Sequence, residues 1–108
     1  MERNVIRELV DGILDVMREQ VVSIILYGSV ARGTNTEESD VDVALIIRGE
    51  LNPVTEDKLS DFIVEMNLKY DKVFSVIDID IDKFLEWETV VPFYQNVKKE
   101  GIVLWKAA

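Results

Sequence analysis

The chain of 108 residues has no cysteine and no histidine. The first absence excludes disulfides, thiolate zinc sites and cysteine nucleophiles; the second removes the usual general base at neutral pH and the commonest transition-metal ligand. Catalysis in such a chain runs on carboxylates and hard, oxygen-preferring metals. Glycine and proline are scarce, at 5 and 2 residues, which excludes collagenous and low-complexity character. Basic residues are also in deficit, with 12 Lys and Arg against 21 Asp and Glu, a net charge of −9. That balance opposes the phosphate neutralisation that drives nonspecific nucleic-acid binding, and so argues against a DNA or RNA partner. No apolar run exceeds Val43–Ile47, far short of the roughly 20 residues of a membrane span. The charge-laced start, Met1-Glu2-Arg3-Asn4, lacks the apolar core of a secretory signal, which makes the cytoplasm the expected compartment.

What is there is ordinary globular composition, 48% hydrophobic and 31% charged, and the length of a single domain over residues 1–108. Val5, Ile6, Leu9, Val10, Ile13, Leu14 and Met17 share one helical face, predicting an amphipathic helix from about Glu2 to Gln20. Val21 to Tyr27 is β-branched and apolar, a buried strand stopped by Gly28. A polar segment, Thr34 to Ser39, precedes a second strand over Asp40 to Ile47. Gly49 to Pro53 closes that strand, and Thr55 is the expected cap of a helix ending near Tyr70. Val73 to Ile81 alternates as a third strand, with Asp78 and Asp80 on one side and Ser75 on the other. A short helix over Asp82 to Glu88 follows, then one from Pro92 to Lys99 with Gly101 as its left-handed cap, and Ile102 to Trp105 reads as an apolar tail. The order predicts an α/β (α+β) fold, a small mixed sheet with helices packed on it.

Two local features carry chemistry. Asp40 and Asp42 are two apart on a predicted strand, so their carboxylates leave one face about 7 Å apart at the backbone. Paired anions at the head of an apolar strand resist desolvation unless a cation sits between them. Mg²⁺ suits the pair, because one or two carboxylates hold it together with water and the phosphates of a substrate, here a nucleotide. Upstream, Gly28 allows a close approach of backbone to ligand, and Ser29 offers a hydroxyl and an amide where a helical turn begins. Arg32 adds a charge toward phosphate, or pairs on the surface, and Gly33 permits the exit into the loop.

The run Tyr27-Gly28-Ser29-Val30-Ala31-Arg32-Gly33, followed by Ser39-Asp40-Val41-Asp42-Val43, resembles the signature of the nucleotidyltransferase superfamily that includes DNA polymerase β, and most closely its minimal nucleotidyltransferase (MNT) branch. Four specified residues at fixed offsets arise by chance on the order of once in a thousand chains of this length. The resemblance spans nearly the whole chain and implies the polymerase β-like fold. It also implies that Gly28 and Ser29 hold the triphosphate of ATP or another NTP, with Arg32, Gly33 and Ser39 in the same nucleotide-binding segment, and that Asp40 and Asp42 hold Mg²⁺ as catalytic and metal residues. The family commonly adds a third carboxylate from the next strand. Asp78 is the expected residue, although Ser75 lies nearer that point on the opposite parity, and Asp80 reads as a helix cap. No Walker loop, dinucleotide fingerprint or EF-hand competes with this reading.

Stand-alone MNT chains of this kind resemble the antitoxin half of HEPN/MNT toxin–antitoxin pairs, which implies transfer of AMP from ATP to a tyrosine hydroxyl on a HEPN-domain partner. A chain this short has little room for an acceptor pocket of its own, and its acidity suits a basic partner. The alternative is a module that binds nucleotide and neutralises a partner without turnover.

Overall fold

The computed structural model describes residues 2–34 and 40–108. Helix α1 (Arg3–Met17) buries Val5, Leu9, Val10, Ile13, Leu14 and Met17. It is shorter than the sequence predicts, because Arg18–Gln20 tighten into a 3₁₀ turn. Strand β1 (Val21–Tyr27) leads into a one-turn helix, α2 (Gly28–Arg32), and strand β2 (Val41–Ile47) begins one residue after Asp40. Helix α3 (Pro53–Tyr70) is capped by Asn52, not Thr55: the Thr55 N–H donates to Asn52 Oδ1 at 2.8 Å, and Pro53 occupies the first turn, where its missing N–H costs nothing.

Strand β3 (Phe74–Asp80) follows α3, its entry held by the Phe74 N–H donating to Asn67 Oδ1 at 2.8 Å. Helices α4 (Ile81–Trp87) and α5 (Pro92–Glu100) come next. Asp80 caps α4 as expected, accepting the Asp82 N–H at 3.1 Å. Gly101 is not left-handed but extended, φ −69° and ψ 144°. Its role is steric: a Cβ there would lie 2.3 Å from the Val97 carbonyl oxygen and 2.4 Å from Ile25 Cγ2. The chain passes through that tight point into a fourth strand, β4 (Ile102–Lys106), where the sequence suggests only a tail.

The sheet order is β3-β2-β1-β4. Strand β1 runs antiparallel to both β2 and β4, and β2 runs parallel to β3, the mixed sheet the element order predicts. Successive side chains alternate between its faces. Val41, Val43, Leu45 and Ile47 enter one core with α1 and α3; Ala44 and Ile46 enter a second with Ile79, Phe84 and Val97 on the side of α4 and α5. Asp42 has the parity of Ala44 and so belongs to the second face. Across the first face, α1 and α3 are joined by the Glu8 carboxylate, which accepts from Lys69 Nζ at 2.6 Å and from the Tyr70 hydroxyl. No helix among the described residues is long and apolar enough to cross a membrane.

The Asn52 cap yields a direct expectation. Asn52→Ala lowers unfolding stability by about 1 kcal/mol, read as a shift of the urea midpoint at constant m-value, while Asn52→Asp retains most of it.

Candidate active site

Everything in the site hangs on where β1 ends. The antiparallel register sets Tyr27 opposite Asp42, so the next residue, Gly28, lies directly against the Asp42 side chain. Gly28 has φ +76°, and a Cβ added there would stand 2.5 Å from Asp42 Oδ2. Position 28 therefore demands glycine twice, for its backbone conformation and for the space the carboxylate occupies. Beyond it, the opening amides of α2 have no partners within the helix. Gly33, also at φ +76°, ends α2 as a left-handed cap, its N–H turned to the carbonyls of Ser29 and Val30, and the Ser29 carbonyl also accepts the Thr34 N–H at 3.0 Å.

Burial pushes the Asp42 carboxyl above its ordinary range; the Asp40 charge adds to this and the Arg32 guanidinium opposes it. Burial, and secondly the Asp42 charge, raise the Tyr27 phenol likewise. The Tyr27 ring packs edge-on against Phe93, centroids 5.4 Å apart, which walls the site toward α5. Arg32 makes the surface pair considered for it. Its Nη1 lies 3.1 Å from Glu100 Oε2, a half-exposed ion pair tying α2 to the end of α5, and its charge still reaches Asp42.

The structure thus gathers Gly28, Arg32 and Asp42, with Asp40 one residue before β2 at the same end and Ser29 and Gly33 in the connecting turn. Ser39 lies outside the described residues. Asp78 is not brought to the pair. It sits opposite Leu45, three residues along the parallel β2–β3 ladder from Asp42, roughly 10 Å away by strand rise. Its parity is that of Leu45, so it projects from the other face of the sheet, where it borders a cavity with Leu59, Ile63 and Phe74. The residue opposite Asp42 on β3 is Ser75. Tyr27 and Glu100 are site neighbours that the sequence does not reveal, since no local pattern announces a cross-strand register or a pair 68 residues apart.

Asp40 and Asp42 form a donor set suited to a hard dication, since a cation beside them relieves both the mutual repulsion and the burial of Asp42. Among the described residues no group of three or more His, Cys, Asp and Glu side chains converges to hold a metal. The other coordination positions would fall to water and substrate phosphates, as is usual for Mg²⁺.

A family model described as a nucleotidyltransferase domain matches residues 10–104. The chain belongs to this family. It is a nucleotidyltransferase, as the resemblance carried by Gly28-Ser29 and Asp40-x-Asp42 implies. Two Methanocaldococcus jannaschii proteins, each named "Putative protein adenylyltransferase", are 33% identical to it, one over 96% of this chain and 98% of its own length, the other over 68% and 74%. Solved structures share the fold at lower identity. A chain from a toxin–antitoxin complex with AMP-PNP aligns with TM-score 0.62 and 19% identity, over 94% of this chain and 73% of that one. One from a complex of tri-AMPylated Shewanella oneidensis HEPN toxin with MNT antitoxin aligns with TM-score 0.60 and 16% identity, over 99% and 74%. A structure described as that of a "putative minimal nucleotidyltransferase" aligns with TM-score 0.54 and 19% identity, over 94% and 95%. These likenesses establish the polymerase β-like fold.

The raised Asp42 carboxyl has a signed consequence. A carboxyl that binds its proton more tightly folded than unfolded costs stability once ionised, and the cost is absent at pH values below its ordinary 3.8. In metal-free protein, Asp42→Asn is therefore more stable than the wild type at pH 7. The difference in thermal midpoint shrinks as the pH falls toward 4.

Proposed function

We propose that this chain transfers AMP from Mg²⁺-bound ATP to a hydroxyl on a partner protein, a HEPN-domain protein being the expected acceptor. The observation that carries the reading is the close approach of Gly28 to Asp42, which joins an anion-accepting turn to a cation-accepting carboxylate pair with nothing between them. In this reading the turn at Gly28 and Ser29, with Arg32 and Ser39, binds the triphosphate, Gly33 shapes the turn's exit, and Asp40 and Asp42 hold the dication. The acceptor oxygen bonds to the α-phosphorus, the bond to the bridging oxygen breaks, pyrophosphate leaves with that electron pair, and the hydroxyl proton passes to solvent. The metal supplies charge neutralisation on the phosphates. The residues position: Asp42 is held by the β1–β2 ladder, and Arg32 is steadied by Glu100.

A protein acceptor is supported by the names of the M. jannaschii relatives, by the AMPylated toxin in the complex of similar fold, and by the net charge of −9, which favours a basic partner. The second reading, a nucleotide-binding module without turnover, is favoured by one observation: Ser75 stands opposite Asp42 where the family's third acid is expected.

Intact mass spectrometry of a captured partner, incubated with this chain, Mg²⁺ and ATP, separates the two. One or more AMP increments are expected. Asp40→Ala/Asp42→Ala lowers their rate by on the order of 10³-fold, the equivalent of several kcal/mol of lost charge stabilisation, while leaving the partner bound. A bound partner with no increment would favour the module.

A further inference from the structure

Position 75 is the one place on β3 from which a side chain faces Asp42. The two residues are register partners on adjacent parallel strands, spaced about 4.8 Å and presented on the same face. An acid there would share a metal with Asp42. The chain has serine instead, a neutral and weak ligand, half-buried at the head of an edge strand. The acids that follow do not compensate. Asp78 points to the opposite face, and Asp80 lies still further along, opposite Ile47, with Oδ1 accepting the Asp82 N–H. Consistent with this, no three-acid group converges among the described residues.

We infer that Ser75 leaves the carboxylate set of this nucleotidyltransferase one short, so that the dication is held firmly only once the triphosphate is present to complete its coordination. The inference rests on the proposed role of Asp40 and Asp42. Its physical basis is charge count: two carboxylates neutralise a dication but leave most of an octahedral shell to other oxygens, and metal affinity follows the number of charged ligands. In the free protein those oxygens are water, which competes on equal terms with bulk solvent. Bound triphosphate replaces several of them with anionic ones. Nucleotide and metal then enter together, and the free protein keeps an open carboxylate pair at cellular metal concentrations.

Equilibrium dialysis of Mn²⁺ against the full chain, with and without a non-hydrolysable ATP analogue, tests this without reference to activity. Wild-type protein is expected to retain Mn²⁺ at least about tenfold more tightly with the analogue than without it. Ser75→Asp is expected to raise the nucleotide-free affinity about tenfold and to narrow that gap, whereas Ser75→Asn, of the same shape without the charge, does neither. Wild-type protein that holds Mn²⁺ equally well with and without the analogue overturns the inference, whether or not Ser75→Asp folds. So does a folded Ser75→Asp protein with unchanged nucleotide-free affinity. Asp40→Ala/Asp42→Ala distinguishes the levels: retention of Mn²⁺ by this variant in the ternary complex removes the metal site itself, whereas its loss there together with an unresponsive Ser75→Asp defeats only the role of position 75.

Discussion

The pairing of Tyr27 with Asp42 across β1 and β2 is the constraint on which the site depends. Cross-strand partners are held about 5 Å apart by backbone hydrogen bonds, and here that spacing sets a carboxylate beside the first residue of the following turn. Gly28 must then be glycine, because Asp42 Oδ2 occupies the space of a Cβ. One register thus produces both the narrow gap between turn and carboxylate and the strain that burial and Asp40 place on the ionised Asp42. A slip of one residue would send Asp42 into the α1/α3 core and dissolve the site.

That register is itself enforced from both sides of the sheet. Leu45 and Ile47 are fully buried on one face and Ala44 and Ile46 on the other, so β2 has no solvent face onto which an error could be tolerated. Gln20 locks the far end, its Nε2 donating to the carbonyls of Arg48 and Glu50 at 2.9 and 2.8 Å. The parallel neighbour β3 is aligned by the Val41 N–H donating to the Val73 carbonyl at 2.8 Å, which puts Ser75 level with Asp42. The cores therefore set the geometry: the rigid strand β2 carries Asp42, and the turn at Gly28 that meets it follows directly from β1.

Much of this was legible in the residues. The helical spacing of α1, the apolar runs of β1 and β2 and the alternation of β3 report burial directly, and burial is what forms those elements. The Gly28-Ser29 and Asp40-x-Asp42 pattern is local on each side, so its meaning survives without coordinates. Sequence and structure part where a residue type has two physical uses. A glycine after a helix suits a left-handed cap, but Gly101 is a point of close approach between α5 and β1. Thr55 and Asn52 are both cap residues, and Pro53 decides for Asn52. The tail Ile102–Trp105 is too short to declare itself a strand until β1 offers it an edge.

By itself the sequence determined the fold class, through the periodicity that reports burial, and the family, through the resemblance carried by the short runs at Gly28-Ser29 and Asp40-x-Asp42. Only the tertiary structure decided which face of the sheet each acid occupies. Asp78 and Ser75 are three residues apart on one strand, and nothing within β3 says which of them meets Asp42. The answer comes from a parallel ladder with a distant strand, and a one-residue difference in that ladder exchanges the two faces.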